Sequence, residues 1–501
     1  MSVYGEFFTK FMGPLFEGFI KIFKGLGEGL FQMFNVVTYI TVIGDYKSDL
    51  KGLGLLVMVL SIVFLLAIMA LIVFLIYKSV KTYLRYRRNV KKEDMLVEEI
   101  DSLNNEIFKL KRNAEKFSEL ANANGEIEYN EDGTPKNELK EGESRFFKLS
   151  TVDAKFKDYT PEEIVNNFTL ESFCDTFRNY SASKLHLYYE INLIRLFIAS
   201  FASNKLIILE GISGTGKTSL AYAFGNFVDN ETTVASVQPS WRDSTEIFGY
   251  FNEFTKKFNE TEILEKMYEA QYDDEVYITL LDEMNISRVE YYFAEMLSIL
   301  ELPNKKDWVV ELVPNVWPND PIKLENGKLK IPENMWYIGT INNDDSTFMI
   351  TDKVYDRAMP IAIDDKCEEF EAPDTDKVKT SYKYLESLFE KASAEHPVSQ
   401  ENLDKIAQLD RYVIDHFRLA FGNRIVKQLK EFVPAFVACG GEEVAGIDYL
   451  IAHKILRKFE QLNLAYIKDE IDGLINYFDK LFGAGKTPEC KAYLLRLKKT
   501  I

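Results

Sequence analysis

Residues 210–220 read EGISGTGKTSL, and Gly211, Gly216, Lys217 and Thr218 within them fit the spacing GxxxxGK[ST]. The chemistry explains the residue types. Glycines let consecutive backbone N–H groups close around phosphate oxygens, and a helix starting there adds the positive end of its dipole. Gly211, Ser213, Gly214, Thr215, Gly216, Lys217, Thr218 and Ser219 are the candidate nucleotide-binding set. Lys217 is placed to neutralise β- and γ-phosphate charge, and the Thr218 hydroxyl to ligate Mg²⁺. Further along, the apolar run in VYITLLDEMNISR ends in Asp282 and Glu283. Asp282 suits Mg²⁺, directly or through water, and Glu283 can polarise an attacking water. Asn342, just after MWYIGT, is placed to orient that water or sense the γ-phosphate. The implied cofactors are ATP and Mg²⁺, with GTP open because a phosphate loop does not read the base. A second near-match, LFGAGKT, has Lys480 where the first glycine is required and no strand before it, so it is set aside.

These residues need strands to aim them. LIILEG (206–211) is a short apolar strand entering the loop, SLAYAFGNFV is the helix leaving it, and MWYIGT (335–340) is a third strand beside VYITLL. Strands alternating with helices predict an α/β fold, a parallel sheet with ligand at the strands' C-terminal ends. The α/β core is expected over 201–365, with an all-helical lid and C-terminal helices over 366–501. The aromatic-rich helices of 147–200 form a pre-domain whose rings serve core packing rather than base stacking.

Between about Phe201 and Phe459 the chain resembles an AAA+ ATPase domain of the dynein-related and McrB-type branch. QPSWRDSTEIFGYFNEFTKKF (238–258), LDEMNISRVEYYFAEMLSILE (281–301), GTINNDDSTFMITDKVYDRAMPI (339–361) and FGNRIVKQL (421–429) carry that resemblance. It implies phosphate binding at Gly216, Lys217, Thr218 and Ser219, Mg²⁺ and water activation at Asp282 and Glu283, and sensing at Asn342. It further implies that Arg424 contacts phosphate from the lid of its own subunit. Arg357 would be the finger inserted into the next subunit's site. The branch tends to show paired arginines where this chain has Asp356-Arg357, and Arg288 is a second finger candidate. For Arg357 the structural alternative is a salt bridge to a neighbour such as Asp352.

The N-terminal part is of another kind. Leu53 to Tyr77 holds no charged residue; as a helix it covers roughly 37 Å, enough to cross a hydrocarbon core of ~30 Å. Lys78, Lys81, Arg85, Arg87, Arg88, Lys91 and Lys92 follow directly. The positive-inside rule then places the N-terminus outside and the body in the cytoplasm. Upstream, residues 1–44 contain apolar positions at helical spacing (Phe8, Phe11, Leu15, Phe19, Ile22) broken by Lys and Glu, an interfacial amphipathic segment. Within 78–121, Leu96, Ile100, Leu103, Ile107, Leu110, Ala114, Phe117 and Ala121 form a heptad seam. Residues 122–146 are polar and aperiodic, a flexible tether.

A net charge of −18 over 501 residues argues against a broad nucleic-acid footprint, though not against a local basic channel. The cysteines Cys174, Cys367, Cys439 and Cys490 are scattered and match no metal-ligand spacing. The four histidines are isolated, and there is no HExxH. The expected protein is a membrane-anchored NTPase assembling with itself, as a hexameric ring, to act on an unidentified effector or substrate protein. The alternative is a nucleotide-switched membrane scaffold with slow turnover.

Overall fold

Five strands make the central sheet of a computed structural model. They are β1 (Leu206–Gly211), β2 (Thr233–Ser236), β5 (Tyr277–Asp282), β8 (Met335–Asn342) and β9 (Ala358–Ala362). Their spatial order is β2-β5-β8-β1-β9, and every pair is parallel. The structure describes residues 142–499, except 161–163, 165–166, 254, 343–346 and 463–466, together with Leu139 and isolated positions before residue 80. The expected amphipathic segment, membrane span, basic segment and coiled coil therefore lie outside the described residues. Among the described residues no helix is long and apolar enough to cross a membrane. Residues 128–501 form one compact unit.

The central strands are apolar on both faces: β1 is buried at every residue and β8 at all but Asn342. A parallel sheet covered on both sides requires this. One face is covered by α1 (Leu170–Leu185), α2 (Ile191–Ser203) and α3 (Lys217–Phe227). Phe173, Phe177, Phe197, Phe201, Phe224 and Phe227 interlock there with ring centroids 4.9–6.5 Å apart. The aromatic residues ahead of β1 are thus core: within the span read as a pre-domain, α1 and α2 share one hydrophobic core with the sheet and the lid, and the helix Phe147–Phe156 packs in the core on the other face.

The second face is covered by the helix Glu262–Glu269 and by two antiparallel hairpins, β3–β4 (Gly249–Asn252 with Lys257–Glu260) and β6–β7 (Val309–Glu311 with Lys328–Lys330). Neither hairpin was expected from the sequence. Nor was β9, whose AMPIA contains Pro360; as an edge strand it spares one side of its backbone from pairing, which is where a sheet tolerates proline. Most of the expected tether, 122–146, lies outside the described residues, but its last two residues are held in the fold. Phe146 is fully buried and Arg145 is paired with Asp320 at 2.8 and 2.9 Å, its guanidinium 4.6 Å from the Trp317 ring.

After β9 the chain is helical: α4 (Tyr382–Glu395), α5 (Gln400–Phe417), α6 (Gly422–Ala438) and α7 (Glu443–Leu450), then α8 (Lys468–Phe482) and α9 (Pro488–Lys499). A π-helical turn, Ile451–Ile455, and a 3₁₀ turn, Leu456–Gln461, follow α7. In LFGAGKT, Leu481 and Phe482 end α8 and the remaining residues form the turn to α9.

Candidate functional site

Register builds the site. Across β1 and β8, Gly211 stands opposite Asn342, and Asp282 ends β5 on the far side of β8. The phosphate loop, Asp282 and Asn342 therefore meet at the C-terminal edge of the sheet, as the alternation of elements predicts. Gly211, Gly214 and Gly216 have φ of 144°, 80° and 91°, conformations that a side chain opposes. A Cβ on Gly211 would stand 2.2 Å from the Ile363 carbonyl oxygen, so only glycine lets the loop leave the strand here.

One chain of hydrogen bonds joins the predicted residues. Thr218 Oγ1 donates to Asp282 Oδ1 at 2.8 Å, and Thr340 Oγ1 donates to the same oxygen at 2.8 Å. The Glu283 backbone N–H donates to Thr340 Oγ1 at 2.8 Å, and Asn342 Nδ2 donates to Glu283 Oε1 at 3.3 Å. Glu283 sits at φ 54°, ψ 46°, a left-handed conformation that costs a non-glycine residue about 1–3 kcal/mol. That turn aims its carboxylate at Asn342. Lys217 is 5% exposed and its Nζ donates to the Gly211 and Ile212 carbonyls at 3.0 and 2.8 Å.

Thr218 and Asp282 offer hard oxygen donors beside the loop, a set that fits Mg²⁺ when phosphate oxygens and water complete its shell. Among the described residues no group of His, Cys, Asp and Glu could by itself hold a metal ion. A cavity of about 940 Å³ adjoins the loop, lined by Leu187, Tyr189, Gly216, Ile363, Tyr449 and His453 among others. The Tyr189 hydroxyl donates to the Gly216 carbonyl at 3.3 Å. This cavity is large enough for a purine and ribose, with loop on one wall and lid on the other.

The arginines lie elsewhere. Arg357 precedes β9, and its Nη2 is 2.5 Å from Glu301 Oε2; Arg424 Nη2 takes the other oxygen of the same carboxylate. The alternative for Arg357 was a salt bridge to a neighbour such as Asp352; its partner within the chain is Glu301. Arg424 follows the first residues of α6, whose Gln428 donates to the Asp356 carbonyl at 3.1 Å. Phe436, near the other end of α6, lines the loop-side cavity. The helix thus runs along the sheet, and Arg424 is at the end where the strands begin. The structure does not bring it to the phosphate loop of its own chain, contrary to the expectation for a lid arginine. Arg288 lies over the Tyr291 and Phe348 rings, 5.7 and 5.2 Å from their centroids.

Sequence reasoning missed Thr340 and Glu210. Thr340, in GT at the end of β8, is 2% exposed and holds Asp282 and Glu283 together. Glu210 precedes Gly211 and is buried against the lid. Its position inside an apolar strand was the available signal, since an acid there requires partners.

No family model and no curated protein sequence matches the chain. Among solved structures, a "putative ATPase" from Cytophaga hutchinsonii is similar at 13% identity and a TM-score of 0.35, over 59% of this chain and 83% of that one. The chain's own parallel five-stranded sheet flanked by helices is consistent with a P-loop ATPase core.

Proposed function

We propose that the chain is a membrane-anchored AAA+ NTPase of the dynein-related and McrB-type branch. It hydrolyses ATP between subunits of a ring and uses hydrolysis to remodel or translocate a partner at the cytoplasmic membrane face. A restriction- or defence-like role with a separate effector is one version of it. The observation that carries the reading is the unbroken hydrogen-bond chain from Thr218 through Asp282, Thr340 and Glu283 to Asn342.

In this reading the loop amides and Lys217 bind the phosphates, and Thr218 and Asp282 hold the magnesium ion. Bound Mg²⁺ neutralises charge on the β- and γ-phosphates. Glu283 accepts a hydrogen bond from the attacking water and draws its proton, while Asn342 fixes the Glu283 carboxylate and the water's line of approach. Among the described residues the hydrogen-bond chain holds no arginine. Arg357 supplies one from the neighbouring subunit, a contribution worth about 10³–10⁵ in rate in comparable sites. The anchor rests on the uncharged run 53–77 and the basic residues after it.

Arg357 resting on Glu301 of its own chain favours a second reading, a nucleotide-switched scaffold with slow turnover. Hydrolysis of ATP and GTP by the full-length chain in detergent, titrated in protein concentration, separates the two. Specific activity that rises with concentration and is lost in Arg357→Ala supports the ring. Activity independent of both overturns it in favour of the switch.

A further inference from the structure

Glu210 is the last residue before the phosphate loop, and it is 8% exposed. Its Oε2 accepts from the Tyr355 hydroxyl at 2.9 Å and from Arg457 Nη1 at 2.9 Å, and His453 Nδ1 is 3.8 Å from Oε1. Arg457 belongs to the 3₁₀ turn of the lid, and its guanidinium stacks 3.4 Å from the centroid of the Tyr355 ring. Tyr355 closes the one-turn helix Asp352–Tyr355, and the Arg357 backbone N–H donates to Val354 of that same turn at 2.9 Å.

These contacts join opposite ends of the sheet. β9 begins at Ala358, opposite Leu206, so the turn carrying Arg357 lies where β1 starts. Glu210 is four residues further along β1, about 13 Å away. The Tyr355 hydroxyl, carried by the turn just before β9, reaches the Glu210 carboxylate. The lid grips the same turn directly: Lys458 pairs with Asp356 at 2.9 Å, and Lys454 donates to the Ala358 carbonyl at 2.7 Å. Burying a carboxylate to tie three elements is expensive unless each partner is in place. The three partners come from the lid and from the Arg357 turn.

We infer that Glu210 is a positioning residue that links the phosphate loop of one subunit to the Arg357 turn and the lid. Through it, the arginine offered to the neighbour's site is set by the loop of the subunit that supplies it. The inference rests on the ring reading above. It assigns Glu210, Tyr355 and Arg457 to hydrolysis in the neighbouring site as well as to folding. A purely structural Glu210 would support only its own loop.

Mixing full-length variants distinguishes these roles. Lys217→Ala disables a chain's own loop but leaves its Arg357 intact, while Arg357→Ala does the reverse. Mixing the two restores activity if the site is shared, and absence of restoration defeats the ring reading and this inference with it. The decisive donor is Lys217→Ala/Glu210→Gln, whose own loop is already silent. Restoration lower by about tenfold than with the Lys217→Ala donor is expected, within the usual range of coupling between sites. Equal restoration overturns the inference while leaving the ring intact. If the Glu210→Gln donor does not fold, Lys217→Ala/Tyr355→Phe removes only the 2.9 Å hydroxyl bond. That donor must also restore less, and equal restoration overturns the inference.

Discussion

Thr340 donates its hydroxyl proton to Asp282 Oδ1 at 2.8 Å while accepting the Glu283 backbone N–H at the same distance. One buried side chain thus holds Asp282 and Glu283 in a fixed relation. Thr340→Val keeps the shape of the side chain and removes both hydrogen bonds. The expected result is a fall in kcat of about tenfold, from a net hydrogen-bond contribution of about 0.5–1.5 kcal/mol, with little change in KM. Steady-state kinetics decides, and an unchanged kcat would remove Thr340 from the machinery.

Arg424→Ala tests where the lid arginine works. Its guanidinium shares Glu301 with Arg357 at the end where the strands begin. A fluorescent ATP analogue should therefore bind the full-length variant within about twofold of wild type, since no contact to the chain's own phosphates is lost. Weakening by tenfold or more would mean that the lid carries Arg424 across to its own loop.

His453 lies between Glu210 and Glu489, 3.8 and 3.9 Å from their carboxylates. Burial pulls its imidazole down, but the negative charge of both neighbouring glutamates outweighs that and holds it above the ordinary 6.5. A group raised on folding contributes stability fully present below its unfolded value and lost as pH rises through its folded value. The gap in Tm between wild type and His453→Gln should be largest below about pH 6.5 and shrink as pH rises above it. A gap that grows with pH would contradict this arrangement.

Arg145 ties the segment before the helix Phe147–Phe156 to Asp320. Its side chain is 3% exposed and that of Asp320 is 7%. Arg145→Ala leaves Asp320 buried beside no cation, a loss of about 3–5 kcal/mol in stability. Denaturant unfolding of the full-length variant measures it; a loss below about 1 kcal/mol would mean water reaches Asp320 freely.

β1, β5 and β8, and the meeting of Gly211, Asp282 and Asn342 at one edge of the sheet, were legible because each is an apolar strand that ends in a distinctive residue type. Thr340 was not, since threonine at a strand end is common and only register sets it against Asp282. Pro360 disguised β9, and the edge position that excuses it is a property of the assembled sheet. Arg424 was read onto its own loop because a sequence cannot show that α6 runs the length of the sheet, with Phe436 at the loop end and Arg424 at the other. Glu210 looked like a strand residue until Arg457, many turns later in the chain, supplied its partner.

The most direct test is ATP hydrolysis by full-length wild type and Glu283→Gln, measured beside nucleotide binding by the same preparations. Glu283→Gln is expected to bind ATP as tightly as wild type and to hydrolyse it about 10²–10⁴-fold more slowly. Equal hydrolysis by the two would contradict this, because the carboxylate aimed at Asn342 would then not be what activates the water.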